Sequence, residues 1–241
     1  MLSQLDFLRE LTALSMFVRL LLAMFFGGLI GLDRQQKHRP AGFRTHMLVC
    51  MGATLTMLLS QYEVVMLENL WAAQAAVVGG KVDMARFGAQ VINGIGFLGA
   101  GTIIVTSRQK VQGLTTAAGL WASACMGLAI GAGFYECVLL VFLLIIIVFR
   151  TLPFVESVLM ERARNMNIYV EFQSVLDVSP LIGRIKSCDV HIYEVEIQRE
   201  GIEKGKHPSA IFTIRLNKSM SHAQVLATIS DSPNVYTVEE I

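Results

Sequence analysis

The chain has 241 residues, of which 54% are hydrophobic and 16% are charged, and its formal net charge is +1. A soluble domain carries about 25% charged residues, so this composition argues against a wholly soluble protein. The near-zero net charge gives no basic field, and we therefore expect no nucleic-acid partner. The long apolar runs lie within residues 11–152, whereas residues 156–241 have the composition of a soluble domain.

Five apolar runs in the N-terminal part are candidates to cross a bilayer, for which a helix needs about 20 mostly apolar residues. They occupy residues 11–32, 45–62, 87–105, 114–131 and 134–152. Segment 63–86 carries Glu63 and Glu68, and we interpret it as a short interfacial helix followed by a loop. A sixth span is the alternative for this segment. The prediction is an all-α membrane domain of about five helices, covering residues 1–155.

Lysine and arginine near the span ends predict the orientation, because cytoplasmic loops are enriched in both. With five spans and the N-terminus outside, every basic cluster lies in the cytoplasm, and a sixth span would remove that agreement. The opposite side holds only Arg9, Lys81 and Arg86. The clusters are Arg34, Lys37, Arg39 and Arg44 after the first span, Arg108 and Lys110 after the third, and Arg150, Arg162 and Arg164 after the fifth.

From about residue 165 the pattern becomes that of a small soluble domain. Strands are predicted at 168–172, 191–200, 210–218 and 235–241, with a loop at about 201–209. Helices are predicted at 179–188, with Ser179 as N-cap and Pro180 at the first helical position, and at 221–230, capped by Ser221. The order βαββαβ is that of the ferredoxin-like α+β fold, which ACT domains share. We therefore predict a cytoplasmic ACT-like domain over residues 165–241.

The cysteines and the N-terminus indicate no special chemistry. The cysteines form no C-x-x-C pair and three lie in apolar runs, so we interpret them as small buried hydrophobes. The N-terminus lacks a basic region and a cleavage site, and no cleavable signal peptide is expected. We predict no cofactor and no metal ligand. The four cysteines are Cys50, Cys125, Cys137 and Cys188.

The run GIGFLGAG (94–101) contains G-x-G-x-x-G. In a dinucleotide site this motif follows a strand, and an acidic residue stands about 20 residues later. Here the motif lies in an apolar span and the acid is absent, so we interpret the glycines as helix-packing residues that allow close approach. The glycines expected at helix contacts are Gly27, Gly28, Gly31, Gly94, Gly96, Gly99 and Gly101, together with Gly127, Gly131 and Gly133.

Polar side chains at membrane depth are the candidate functional residues, because they are costly there. Arg19 lies inside the first span and is expected either to snorkel outward or to pair within the bundle. For Asp33, a surface ion pair with a nearby arginine is the alternative to a functional role. Oxygen ligands would suit Mg²⁺, but one carboxylate is too few for a dedicated site. The polar cluster predicted at the cytoplasmic mouth comprises Asp33, Arg34, Arg44, Gln90, Asn93, Thr115 and Thr116.

Two long motifs carry a resemblance to a known family. They are GGLIGLDRQQKHRPAGFRTHMLVCMGA (27–53) and QVINGIGFLGAGTIIVTSRQKVQGLTTAAGLWASACMGLAIGAGFY (90–135). Together they resemble the signature of the MgtC/SapB family of bacterial inner-membrane proteins, over roughly residues 16–150. The family usually has Glu at the position of Asp33 and often has Ser at the position of Asn93.

The resemblance implies a five-span inner-membrane domain, often followed by a cytoplasmic ACT-like domain. It also implies a link with adaptation to low magnesium. The best-known members are virulence factors needed for growth inside macrophages. They are thought to act by binding and inhibiting the F-type ATP synthase rather than by carrying Mg²⁺.

The function predicted is a non-enzymatic regulator that acts through contacts with other membrane proteins. The alternative is a transporter or channel for Mg²⁺ or another ion, which would need several carboxylates or carbonyl-lined breaks near the midplane. The sequence shows no nucleophile–base set that would indicate an enzyme. The expected partners are the lipid bilayer, other membrane proteins such as the F-type ATP synthase, and a second copy in a homodimer formed through the soluble domain.

Overall fold

A computed structural model describes residues 7–73, 83–106, 111–188, 190–198, 207–217 and 221–241. The chain divides into two compact units, Met1–Leu152 and Pro153–Ile241. Three basic residues of the orientation prediction, Lys81, Arg108 and Lys110, lie outside the described residues. So do residues 74–82 of segment 63–86 and most of the loop predicted at 201–209.

Five of the described helices begin in the first unit: α1 (Ala13–Gln36), α2 (Phe43–Asn69), α3 (Met84–Ala100), α4 (Leu114–Gly131) and α5 (Tyr135–Arg162). Within the described residues, four helices are long and apolar enough to cross a membrane, namely Ala13–Gln36, Phe43–Asn69, Leu114–Gly131 and Tyr135–Met160. The prediction of a helical membrane domain is confirmed to that extent. The third predicted span corresponds to α3, which has 17 residues and is not among the four.

Two boundaries differ from the sequence prediction. Residues 63–69 continue α2 rather than starting a separate interfacial helix, because this stretch contains neither glycine nor proline and is rich in good helix formers. The predicted span 87–105 ends early, since α3 stops at Ala100. The β-branched residues that follow form a two-stranded hairpin of β1 (Ile104–Val105) and β2 (Val111–Gln112), as their strand propensity favours.

Helices α1 and α2 are antiparallel and closely packed. A Cβ atom built on Gly27 would lie 2.8 Å from Cys50 Cβ, and one built on Gly31 would lie 2.6 Å from Phe43 Cα. Later residues of α1 therefore meet earlier residues of α2. Because small residues allow membrane helices to approach closely, these glycines position the two backbones in contact.

Helices α2 and α4 are parallel. Gly127 of α4 approaches the carbonyl of Cys50, and Gly131 approaches that of Thr54. The chain must therefore return between them, and α3 makes this return. The hydroxyl of Ser60 donates to the Met84 carbonyl at the beginning of α3 (3.2 Å).

The two ends of the bundle are named after their buried charges. The Arg19 end holds the beginnings of α1, α3 and α5. The Asp33 end holds the beginnings of α2 and α4 and the part of α5 near Phe149. At the Asp33 end, Gly99 of α3 packs against Ala117 of α4.

The second unit is a small antiparallel sheet with two helices, as its sequence pattern predicted in outline. The elements are β3 (Asn165–Phe172), a 3₁₀ turn (Val175–Asp177), α6 (Val178–Ser187), β4 (Val190–Gln198), β5 (Ser209–Leu216), α7 (His222–Ser230) and β6 (Val235–Glu240). The strands are ordered β4-β5-β3-β6, and every neighbouring pair is antiparallel. The buried residues of the strands pack with those of the helices in one core.

The helix caps of this unit test two detailed predictions. Ser221 caps α7 as predicted, since its side chain accepts a hydrogen bond from the backbone N–H of Gln224. Ser179 does not cap α6. The 3₁₀ turn leads directly into that helix, and Ser174 caps the turn instead. The earlier start adds a turn whose N–H groups Ser174 can satisfy, which is the role of an N-cap.

Candidate functional site

A glycine-lined seam joins α1, α2 and α4. It consists of Gly27, Gly28, Gly31, Gly127 and Gly131. On Gly127, an added Cβ would lie 2.3 Å from the Cys50 carbonyl oxygen, and on Gly131 it would lie 2.7 Å from the Thr54 carbonyl oxygen. Real Cβ atoms do not tolerate such approaches to backbone, so only glycine fits this packing. The seam fixes the relative positions of the polar side chains at both ends of the bundle.

Asp33 is buried at the Asp33 end, with 7% of its side chain exposed. Lys37, one turn later in the chain, places Nζ 3.1 Å from Asp33 Oδ2. Arg150 of α5 places Nε 3.7 Å from Asp33 Oδ1. The alternative of a surface ion pair therefore does not describe Asp33, since its carboxylate is enclosed and contacts two cations from two helices.

Arg34 and Lys37 both contact Phe149 of α5. The Arg34 guanidinium lies 4.7 Å from the centre of the Phe149 ring, in a cation–π contact. The Lys37 ammonium donates to the Phe149 backbone carbonyl at 2.5 Å. The last turn of α1 is therefore attached to α5 by a carboxylate and two cations.

His46 lies next to this cluster and is fully buried in α2. Its Nδ1 is 3.0 Å from the Gly42 carbonyl. Its Nε2 has no hydrogen-bond partner among the described residues, and neither does the hydroxyl of the buried Ser123. Gly119 of α4 makes room for the ring, since a Cβ there would lie 3.4 Å from Nε2 and 3.1 Å from Phe149.

Arg19 is fully buried at the opposite end, and five hydrogen bonds to described residues hold it. Its donors reach the Leu8 carbonyl, the Tyr135 hydroxyl, the Gln61 side chain and the Gly131 carbonyl. The Gly131 carbonyl lies at the C-terminal end of α4, where helix carbonyls lack internal donors and attract cations. Arg19 therefore pairs within the bundle rather than snorkelling outward. Its partners are neutral carbonyl, amide and hydroxyl groups.

Helix α3 turns one face towards the bundle and the opposite face outward. Ile95 and Gly99 are buried in the bundle. Gln90, Asn93 and Phe97 lie on the outward face, and Phe97 is 86% exposed. Neither amide makes a hydrogen bond to the described residues.

The structure brings together only part of the predicted polar cluster. Asp33 and Arg34 are buried side by side, and Thr116 is buried in the first turn of α4. Arg44 and Thr115 are exposed. Gln90 lies nearer the Arg19 end, because Gly88 of α3 faces Leu128 of α4. A shared function for these residues stays a prediction.

The predicted packing glycines also divide into groups. Gly27, Gly28 and Gly31 lie against α2, and Gly99 lies 3.4 Å from Ala117. Gly94 and Gly96 meet nothing within 4 Å among the described residues, while Gly101 ends α3 near its own last turn. Gly133 adopts a φ of +76° between α4 and α5.

Sequence reasoning missed the residues that complete both polar networks: Gln61, Tyr135, His46 and Phe149. It used Lys37 only for orientation. The sole available signal was that Gln61 and His46 are polar residues within or beside an apolar run. Their partners depend on which helix faces meet, and the sequence pattern does not specify this.

The fold and the buried charges define a polytopic membrane protein with a C-terminal α+β unit. A profile of the MgtC family matches residues 20–158. The chain is 38% identical over 164 residues to "Putative magnesium transporter YhiD" of Escherichia coli K12, covering 66% of this chain and 68% of that protein. It is 31% identical over 224 residues to Protein MgtC of Brucella abortus, covering 88% and 87%, and 29% identical over 188 residues to Protein SapB of Bacillus subtilis, covering 76% and 78%. No solved structure matches the chain.

The chain therefore belongs to the MgtC/SapB family, as the two sequence motifs indicated. The family match spans all the residues of the seam and of the two buried polar networks except Leu8 and Arg19.

Proposed function

We propose that this protein is a non-enzymatic regulator of the bacterial inner membrane, which acts by contact with another membrane protein during adaptation to low magnesium. The outward face of α3 carries this proposal. In lipid an amide without a hydrogen-bond partner is costly, and Asn and Gln side chains associate transmembrane helices by bonding across them. Gln90 and Asn93 lie one turn apart on this face, and Phe97 follows one turn later.

The proposal requires α3 to lie in the bilayer as a fifth, short span. Its 17 residues are at the lower end of the length that spans a membrane. Its course between the parallel helices α2 and α4 supports this placement. Five spans put the two ends of the membrane domain on opposite sides, and the basic residues then favour an outer N-terminus and a cytoplasmic C-terminal domain.

For the second unit we propose a ferredoxin-like, ACT-like domain that pairs with a second copy. The element order and the strand order β4-β5-β3-β6 support this fold. Within the described residues β4 and β6 are the edge strands of the sheet, and an edge strand can pair with a strand of a second copy. Sedimentation of the purified protein in detergent as a monomer at micromolar concentration would argue against the homodimer.

Replacing both Gln90 and Asn93 with leucine is expected to weaken partner binding about tenfold, from the loss of two amide hydrogen bonds in lipid. The F-type ATP synthase is the partner we propose, from the family resemblance. The measurement is recovery of its subunits with the affinity-purified protein from native membranes in mild detergent.

The matched control is Leu143→Ala on the exposed face of α5, which should leave recovery unchanged. Equal recovery with the double variant, or no recovery of synthase subunits with the unaltered protein, would count against this proposal. Both variants should keep the wild-type melting temperature, because neither site lies in the seam.

Mg²⁺ transport is the second candidate, and the name of the Escherichia coli relative favours it. A proteoliposome assay with an internal Mg²⁺ reporter separates the two functions. The regulator predicts no saturable Mg²⁺ entry above that of empty vesicles. Saturable entry that Asp33→Asn abolishes would establish transport instead.

A further inference from the structure

The last membrane helix contains a proline, which has no backbone N–H to donate. A side chain from elsewhere in the bundle supplies a hydrogen-bond donor in its place. Pro153 lies inside α5. An α-helix pairs each N–H with the carbonyl four residues earlier, and proline has no N–H. The carbonyl left without its helical donor is that of Phe149. This is the carbonyl to which Lys37, the residue directly after α1, donates.

Lys37 is held in place by the buried carboxylate of Asp33. Its ammonium lies 3.1 Å from Asp33 Oδ2, so it links a buried carboxylate to the Phe149 carbonyl. Arg150 approaches the other oxygen of Asp33 at 3.7 Å, and Arg34 stacks on the Phe149 ring. Phe149 and Arg150 of α5, about one turn before the proline, are therefore held by side chains at the end of α1.

The end of α1 is shaped to present Lys37. His38 adopts a left-handed conformation with φ +51°. The N–H groups of His38 and Arg39 close on the carbonyls of Gln35 and Arg34, the pattern of a Schellman turn. Glycine is the usual residue at the left-handed position, so His38 keeps a less favourable conformation that stops the helix directly after Lys37.

We propose that Lys37 is a positioning residue that supplies the donor missing at Pro153, and that Asp33, Lys37 and the Phe149 carbonyl form a latch on the last helix. Phe149 is buried, and a buried carbonyl without a donor is costly, so the ammonium stabilises the break. Proline breaks are sites where helices bend. With the latch open, α5 unwinds and bends at Pro153, the point from which the chain leaves the membrane unit.

Hydrogen–deuterium exchange of the full chain in lipid nanodiscs tests the latch. Lys37→Met keeps the length of the side chain and removes its donors. It is expected to speed exchange of the α5 amides at residues 150–152 and 154–157 at least about tenfold, the loss expected for a hydrogen bond to a charged group. Arg39→Met removes a neighbouring exposed cation and should leave these rates unchanged. Lys37→Arg keeps a charged donor and should stay within about threefold of wild type.

The deciding variant is Pro153→Ala, which returns an N–H to the helix four residues after Phe149. In that background Lys37→Met is expected to change exchange by less than about twofold, because the carbonyl now has its helical donor. An equal effect of Lys37→Met in both backgrounds would overturn the proposal, since Lys37 would then act only as a counter-ion to Asp33. So would the absence of an effect in the proline-containing protein. Alanine is the best helix former, so the Pro153→Ala protein is expected to fold.

Discussion

Gly127→Ala is expected to destabilise the membrane domain more than any other single methyl addition in the seam. The added Cβ would lie 2.3 Å from the Cys50 carbonyl oxygen and 2.9 Å from Ala53 Cβ, so α2 and α4 must separate. Overpacking a core costs about 1–3 kcal/mol, and more where the clash is with backbone. At about 3 kcal/mol the melting temperature in detergent falls by about 6–12 °C.

Gly52→Ala is the matched control for this prediction. Gly52 lies in α2, and a Cβ there meets nothing within 4 Å among the described residues. Since alanine favours a helix by about 1 kcal/mol relative to glycine, Gly52→Ala should leave the melting temperature unchanged or raise it slightly. Equal melting temperatures for the two variants would show that the seam is not closed at Gly127.

Arg19→Met is expected to lower the stability of the membrane domain by about 3 kcal/mol or more. The change leaves the Gly131 carbonyl and the Gln61 side chain without the donors of Arg19, and each buried unsatisfied group costs about 1–3 kcal/mol. The Leu8 carbonyl keeps the Tyr135 hydroxyl as a donor. Loss of the cation also removes a favourable charge at the C-terminal end of α4. The measurement is thermal unfolding of the purified protein, followed by the burial of its cysteines.

Arg19→Lys separates the charge from the geometry. A lysine keeps the positive charge but has a single ammonium in place of the planar guanidinium that reaches four groups. We expect an intermediate loss of stability. Arg44→Met, at an exposed position, should have little effect and serves as the control. An Arg19→Met variant as stable as wild type would mean that desolvation of the guanidinium outweighs its hydrogen bonds.

The sequence predicts the elements of this protein better than the contacts between them. Apolar runs identified four candidate spans, because a helix buried in lipid needs a long apolar stretch. Alternating apolar residues identified the strands of the second unit, because a strand with one buried face has a period of two. The predicted third span extends beyond the end of α3, because the residues from Ile103 to Val105 are apolar but β-branched. Apolarity alone cannot separate a helix end from a hairpin.

The glycines show why packing is harder to predict. Gly31 and Gly94 both lie in apolar helices and both belong to small-residue motifs. Gly31 touches the backbone of Phe43, whereas Gly94 meets nothing within 4 Å among the described residues. The difference depends on which face of each helix meets a neighbour. For the same reason the sequence did not predict that Gln61 and Gly131 contact Arg19, or that Arg150 contacts Asp33, since these residues are distant in the chain.

The most direct test of the proposed function is photocrosslinking from position 97 in native membranes. A benzoylphenylalanine placed at Phe97 probes the outward face of α3, and one placed at Leu143 probes the exposed face of α5. We expect discrete protein adducts from position 97, reduced by leucine at positions 90 and 93, and only lipid adducts from position 143. Lipid adducts alone from both positions would contradict it, because the face with the two amides would then be covered by bilayer and by no other protein.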